Sequence, residues 1–235
     1  RFKSRYKRFF VDVELEDGTL ITAHVPNTGS LKGCLNKEAV CYLSFSDSPH
    51  RKLKYTLQII QTPSSWVGVN THLSNDLVWE AFQQDRMPLW PTPYYGQREI
   101  KINSQTRIDF VFCSQKENFP LHLINQKKSQ NKFHFVEVKN VTLLSHSVAL
   151  FPDAVSQRGQ KHLKELMNLM NEGHQAEIIF TVQRTDAQSF APAKEIDPRY
   201  AELLKEAYDK GLRISPYTCQ ISPEEITLQT QKPLE

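Results

Sequence analysis

Phe133-His134-Phe135-Val136-Glu137-Val138-Lys139 is the stretch on which the fold turns. A run this short and apolar belongs to a strand inside a sheet, where a charge is costly unless it is paired or bound to metal. Glu137 and Lys139 stand two residues apart, so on a strand they share a face. Upstream, Arg107-Ile108-Asp109-Phe110-Val111-Phe112 sets a second acid among apolar neighbours. If the two strands are adjacent, Asp109 and Glu137 form an oxygen-rich pocket for Mg²⁺ or Mn²⁺. Lys139 would then orient a water and offset charge on a phosphate, which completes the minimum set for metal-assisted phosphodiester hydrolysis. An ordinary ion pair remains the competing reading. Chance alone gives about two acid-x-Lys triplets at this composition, and a second one, Glu99-Ile100-Lys101, does occur. It precedes Asp109 and is read as an exposed strand pair.

Around this centre the order of elements implies a mixed sheet flanked by helices. A helix is predicted over 75–84, with Leu77, Val78, Ala81 and Phe82 on one face. A crossing with Pro88, Pro91 and Pro93 follows, then strands over 97–103 and 106–113 and a polar loop, 115–131, read as mobile. Asp153 to Asn171 is amphipathic, with Gly173 to stop it. A buried strand over 176–182, a helix from Pro198 ended by Gly211, and a strand over 213–217 complete the set.

The N-terminal third has a different texture. Runs over 9–15 and 20–25 flank Asp17-Gly18, a hairpin signal. Further strands are expected over 39–45, 55–60 and 66–69. Short, closely spaced strands without a helix favour a small closed barrel of OB type. The division is therefore a barrel over 1–70 and an α/β domain over 71–235.

No apolar run approaches the roughly 20 residues of a membrane span, and the basic, aromatic N-terminal stretch is not a secretory signal. Cys34, Cys41, Cys113 and Cys219 form no C-x-x-C pair, so no disulfide framework or zinc ribbon is expected and a reducing cytoplasm fits. With a net charge of only +3, the distribution of cations matters more than their sum. Arg1, Lys3, Arg5, Lys7 and Arg8 cluster at the start; Arg51, Lys52 and Lys54 form a second group, and Lys127 with Lys128 a third. Cations neutralise phosphates, and aromatics stack on unpaired bases. Arg5, Tyr6, Lys7, Arg8, Arg51, Lys52 and Lys54 are accordingly the DNA-binding candidates of the barrel, with Tyr6 left open between stacking and packing and Phe9 given to the core. Asn27-Thr28-Gly29 either offers amides to a phosphate or is a tight turn needing Gly at positive φ. Arg158 and Lys161 share a helix face beside the acidic pocket, where they would grip a DNA backbone. His162 is read as a packed or capping residue rather than a catalytic one.

The order Asp109 … Glu137-x-Lys139, after a helix carrying Glu80, resembles the PD-(D/E)xK nuclease superfamily, with Ile108 where that pattern has proline. More closely, the chain resembles the sugar fermentation stimulation protein A family. The carriers are Arg5-Tyr6-Lys7-Arg8-Phe9, Pro26-Asn27-Thr28-Gly29-Ser30, Val69-Asn70-Thr71, Arg107-Ile108-Asp109-Phe110, Glu137-Val138-Lys139-Asn140-Val141-Thr142-Leu143 and Phe151-Pro152-Asp153-Ala154-Val155. The resemblance implies an OB-type barrel, a nuclease-like domain, DNA binding without sequence preference and a link to sugar, notably maltose, utilisation. Its motif makes Asp109, Glu137 and Lys139 the catalytic candidates, Asp109 and Glu137 the metal ligands, and Glu80 a third acid on the metal side. The expectation is a sequence-indifferent DNA-binding factor with a nuclease-like metal site, or an active Mg²⁺- or Mn²⁺-dependent nuclease.

Overall fold

The computed structural model describes residues 1–87, 90, 94–103, 106–114 and 132–230. The three prolines of the crossing, the loop over 115–131 and Lys127–Lys128 lie outside them. Strands β1 (Phe2–Tyr6), β2 (Phe10–Glu14), β3 (Leu20–His24), β4 (Cys41–Phe45), β5 (Tyr55–Gln61) and β6 (Trp66–Gly68) build the N-terminal unit. They run in the order β1-β2-β3-β5-β4, with β6 on β5. Phe2 N–H donates to Ala39 O (2.9 Å) and Phe2 O accepts from Glu38 N–H (2.8 Å), which brings the first strand round to the chain entering β4. Phe2, Val11, Val13, Ala23, Leu57 and Ile60 fill the interior. Phe9 does not. It sits at the tip of the β1–β2 hairpin, 41% exposed and stacked on His24, because the turn takes up Lys7 to Phe9 and hands the inward position to Val11.

The second sheet runs β15 (Ile226–Leu228), β14 (Arg213–Ile221), β12 (Gln175–Val182), β9 (His134–Val141), β8 (Arg107–Cys113), β7 (Tyr95–Lys101). Its centre, β9-β12-β14, is parallel. Both faces are covered, which is why β9 and β12 read as nearly continuous apolar runs. One face carries α2 (Gln157–Asn171) and α3 (Pro198–Asp209); the other carries α1 (Leu73–Gln83) and the barrel's Ile59, Tyr42 and Trp66. α2 starts at Ser156, whose hydroxyl accepts from Gly159 N–H, and ends before Gly173 at φ 91°. It buries Leu163, Leu166, Met167 and Leu169, each contributing roughly 2 kcal/mol. A small third sheet, β10 (Leu143–Ser145), β11 (Val148–Phe151) and β13 (Ser189–Pro192), lies beside the end of β9.

The two units are joined by direct hydrogen bonds. Gly68 N–H donates to Gln183 O at 3.0 Å, and Val67 bridges to Arg184. Asp153 reaches back to the barrel, accepting from Leu31 N–H (2.9 Å) and the Ser30 hydroxyl (3.3 Å). Gly29 stands against that carboxylate: a Cβ there would lie 2.4 Å from Asp153 Oδ1. It is the close approach, not a positive φ, that requires glycine. Gly29→Ala is expected to lower stability by about 1–3 kcal/mol, read from the urea midpoint at unchanged m-value.

Candidate functional site

β8 and β9 pair antiparallel through Phe110↔Val136, a register that carried one step further sets Asp109 opposite Glu137. The sheet thus brings together the two acids from neighbouring strands. Asp109 Oδ2 accepts from Val138 N–H at 2.8 Å, and Oδ1 from Asn75 Nδ2 at 3.0 Å. Burial, and then the charge of Glu137, push its carboxyl up to about 6 against the opposing pull of Lys139, Val138 and Asn75. Glu137 is 1% exposed. Burial works to raise it, but Lys139 and His162 hold it below the ordinary glutamate value. Both partners meet the same oxygen: Lys139 Nζ and His162 Nδ1 contact Oε1, while Oε2 is buried without a protein partner. Arg158 Nε donates to His162 Nε2 at 3.4 Å. His162 is buried, and its ring meets the central carboxylate through Nδ1.

Asn75, Asp109, Glu137, Lys139 and Arg158 line a cleft of about 440 Å³ between the two units. The barrel contributes Arg8 and the 27–29 loop, the first turn of α1 contributes Asn75, and the start of α2 contributes Arg158. α1 is anchored there by Ser74, whose hydroxyl accepts from Thr181 Oγ1 (2.8 Å) and Gln183 Nε2 (3.1 Å). The amide atoms of Asn140, also on the cleft wall, are buried without partners. Among the described residues no group of three His, Cys, Asp or Glu is close enough to hold a metal ion.

The structure does not bring Glu80 into this cleft. The helix begins at Leu73, so its first turn presents Asn75 to Asp109. Glu80 comes five residues later, about 140° round the helix at 100° per residue. It is exposed there, accepting from Gln84 (3.1 Å) and lying 3.7 Å from Arg86. Arg5 has a different task from the one expected of a phosphate contact. Its guanidinium donates to the carbonyls of Arg8 (2.9 Å), Asn27 (2.7 Å), Gly29 (3.0 Å) and Ser30 (3.1 Å), so it staples the hairpin to the 27–30 loop. Lys7 and Arg8 form the hairpin tip at φ 48° and 64°. Tyr6 is 40% exposed, with its ring on Phe10. Arg51 bonds to Thr56 Oγ1, and Lys54 to the carbonyls of Asp47 and Ser48. Lys52 is exposed, and none of these three lines the cleft. Lys161, half-buried one turn beyond Arg158, stays off the cleft wall. Glu99 is an exposed strand residue, as expected, and its partner is Arg107 at 3.0 Å. Sequence reasoning gave no role to Asn75, Asn140 or Asp153, although the last two stand inside blocks that carry the resemblance.

An OB-type barrel followed by a nuclease-like mixed sheet, with an acid on one strand facing Glu-x-Lys on the next, defines the class of protein. The family model for the SfsA N-terminal OB domain matches residues 4–69, and that for the sugar fermentation stimulation protein RE domain matches 72–225. The chain belongs to the sugar fermentation stimulation protein family. It is 47% identical to a sugar fermentation stimulation protein homolog of Bdellovibrio bacteriovorus, over all of this chain and 95% of the relative. A homolog from Geotalea uraniireducens is 41% identical over 95% of this chain and 90% of its own length. Among solved structures, Pyrococcus furiosus SfsA in complex with Ca²⁺ superposes with a TM-score of 0.83 at 26% identity, covering 99% of this chain and 92% of that one.

Proposed function

We propose that the protein binds DNA through the sugar–phosphate backbone, without sequence preference, and holds a divalent cation on Asp109 and Glu137. One observation carries this reading: a single cleft has two carboxylates at its floor and Lys139, Arg158 and Arg8 around them. Carboxylates suit a hard cation, and cations suit phosphates. The residues fit a divalent ion. Glu137 Oε2 is buried and unpartnered, and Asp109, beside a second acid, is pushed up to about 6 by burial and by Glu137 in spite of Lys139. Two protein carboxylates leave the other positions to water and phosphate oxygens, the usual habit of Mg²⁺. That the related Pyrococcus protein was solved with Ca²⁺ supports a divalent ion in this family. When bound, the ion supplies Lewis-acid stabilisation to phosphate oxygens. The chain's own part is to hold Glu137 through His162, to keep Lys139 against the carboxylate, and to grip the backbone. We read the family's connection with sugar, notably maltose, utilisation as regulatory and exerted through DNA.

Lys139 favours a second reading, Mg²⁺- or Mn²⁺-dependent hydrolysis, because an ammonium beside the acids can orient a water and offset phosphate charge. A gel shift in EDTA over a salt series tests the first reading. The logarithm of the binding constant is expected to fall by about 0.9 for each phosphate contacted per decade of salt on duplex DNA; binding indifferent to salt would overturn it. Plasmid incubated with Mn²⁺ beside Glu137→Ala tests the second. Nicking by the parent alone is expected, and equal nicking by both excludes this centre.

A further inference from the structure

A second hollow, about 380 Å³, opens beside the cleft and shares Arg8, Thr28, Gly29 and Ala154 with it. Its far wall carries Lys7 and Tyr6. The two hollows therefore run on from each other, from the carboxylates past Arg8 to the tip of the β1–β2 hairpin. That tip is built at a cost. Lys7 and Arg8 are consecutive non-glycine residues at positive φ, a conformation disfavoured for L side chains. Such strain persists where the surroundings over-determine it, and here the Arg5 staple does so by binding Arg8 O together with the 27–30 loop. The result fixes Arg8 at the divide between the hollows, facing Arg158 and the start of α2 on the nuclease-like side. At the end of the path Tyr6 lines the second hollow and is 40% exposed. An aromatic there rewards an unpaired base, since a paired one keeps its faces inside the duplex stack.

We infer that the joined hollows are the path of a single DNA strand, with Arg8 and Arg158 holding phosphates next to the acidic centre and Tyr6 receiving a base beyond them. This rests on the reading of the cleft as a DNA site and adds the strand form, its route and the barrel residue that directs it. The hairpin tip, rather than the Arg51–Lys54 group, is the barrel's contribution.

The test is fluorescence anisotropy of the full chain with a labelled oligo-dT strand and with a hairpin duplex, in EDTA, from 50 to 200 mM salt. Arg8→Asn keeps a residue that tolerates left-handed φ while removing the charge. It is expected to reduce the salt slope on oligo-dT by about 0.7, one phosphate contact on a single strand. Tyr6→Ala is expected to weaken oligo-dT binding about tenfold with duplex affinity unchanged. Lys205→Asn, on the exposed face of α3, controls for loss of charge and should bind as the parent does. Parent-like binding by Arg8→Asn, or a loss carried by Arg51→Asn instead, overturns the path while leaving DNA binding intact. No binding of either probe by the parent overturns the DNA reading itself, and the path with it.

Discussion

Asp109→Asn is expected to make the protein more stable in EDTA and to remove its capacity for a divalent cation. The folded state raises this carboxyl from 3.8 to about 6, so the ionised form is penalised at neutral pH. Fully expressed, that penalty is at most about 3 kcal/mol. Its sign follows from the direction of the shift. Below pH 3.8 Asp109 is protonated whether folded or not, and costs nothing. Stability is lost as pH rises through the interval to about 6, and the full penalty applies above it. Asparagine avoids the penalty and keeps the bonding: its oxygen accepts from Val138 N–H, and its amide donates to a turned Asn75 carbonyl. Thermal unfolding in EDTA should place the variant up to roughly 6–10 °C above the parent at pH 7.5 and level with it near pH 3.5. Added Mn²⁺ should raise the Tm of the parent alone. A variant less stable than the parent at pH 7.5 would mean that Lys139 already compensates the pair.

The opposite effect is expected at Arg184. Its side chain is 5% exposed and grips Asp186 with two parallel bonds of 2.6 and 2.8 Å, while Nη1 donates to Thr142 O at 2.7 Å. Asp186 in turn accepts from Ser64 of the barrel, so the pair sits in the seam between the units. Arg184→Ala leaves a half-buried carboxylate and a buried carbonyl without their donor, a loss of about 3–5 kcal/mol. The Tm should fall by roughly 10 °C. Arg184→Lys restores the charge without the fork and should recover only part of the fall. A change below 1 kcal/mol would show that the seam is held by packing alone.

Much of the fold was legible because its central strands are buried on both faces. The apolar run ending in Glu137-Val138-Lys139 carries its own evidence: an acid and a lysine two apart inside a strand share a face in any sheet. Asp109 followed from the same logic one strand earlier. The helices were marked by ordinary signals, Pro198 and Gly211 around α3 and Gly173 after α2. Glu80 was drawn in by the resemblance alone; the buried stripe of Leu77, Val78 and Ala81 leaves it on the solvent side. Phe9 was misread because a hairpin register decides which aromatic points inward, and the turn lies in the same residues. β1 was obscured by its alternating cations, which read as a basic arm. Arg5 illustrates what no pattern carries. Its four carbonyl partners come from a turn and a loop up to 25 residues away, and only the fold assembles them.

The bridge between Val67 and Arg184 also has a consequence for how the chain is made. On a ribosome adding about 5–20 residues per second, the two sides of that bridge emerge roughly 6–23 s apart. Throughout that interval β6 has β5 on one edge and nothing native for the other, and an unpaired edge is an invitation to the wrong strand. Its brevity, three residues with serines just before them, keeps that invitation weak until the right partner is synthesised.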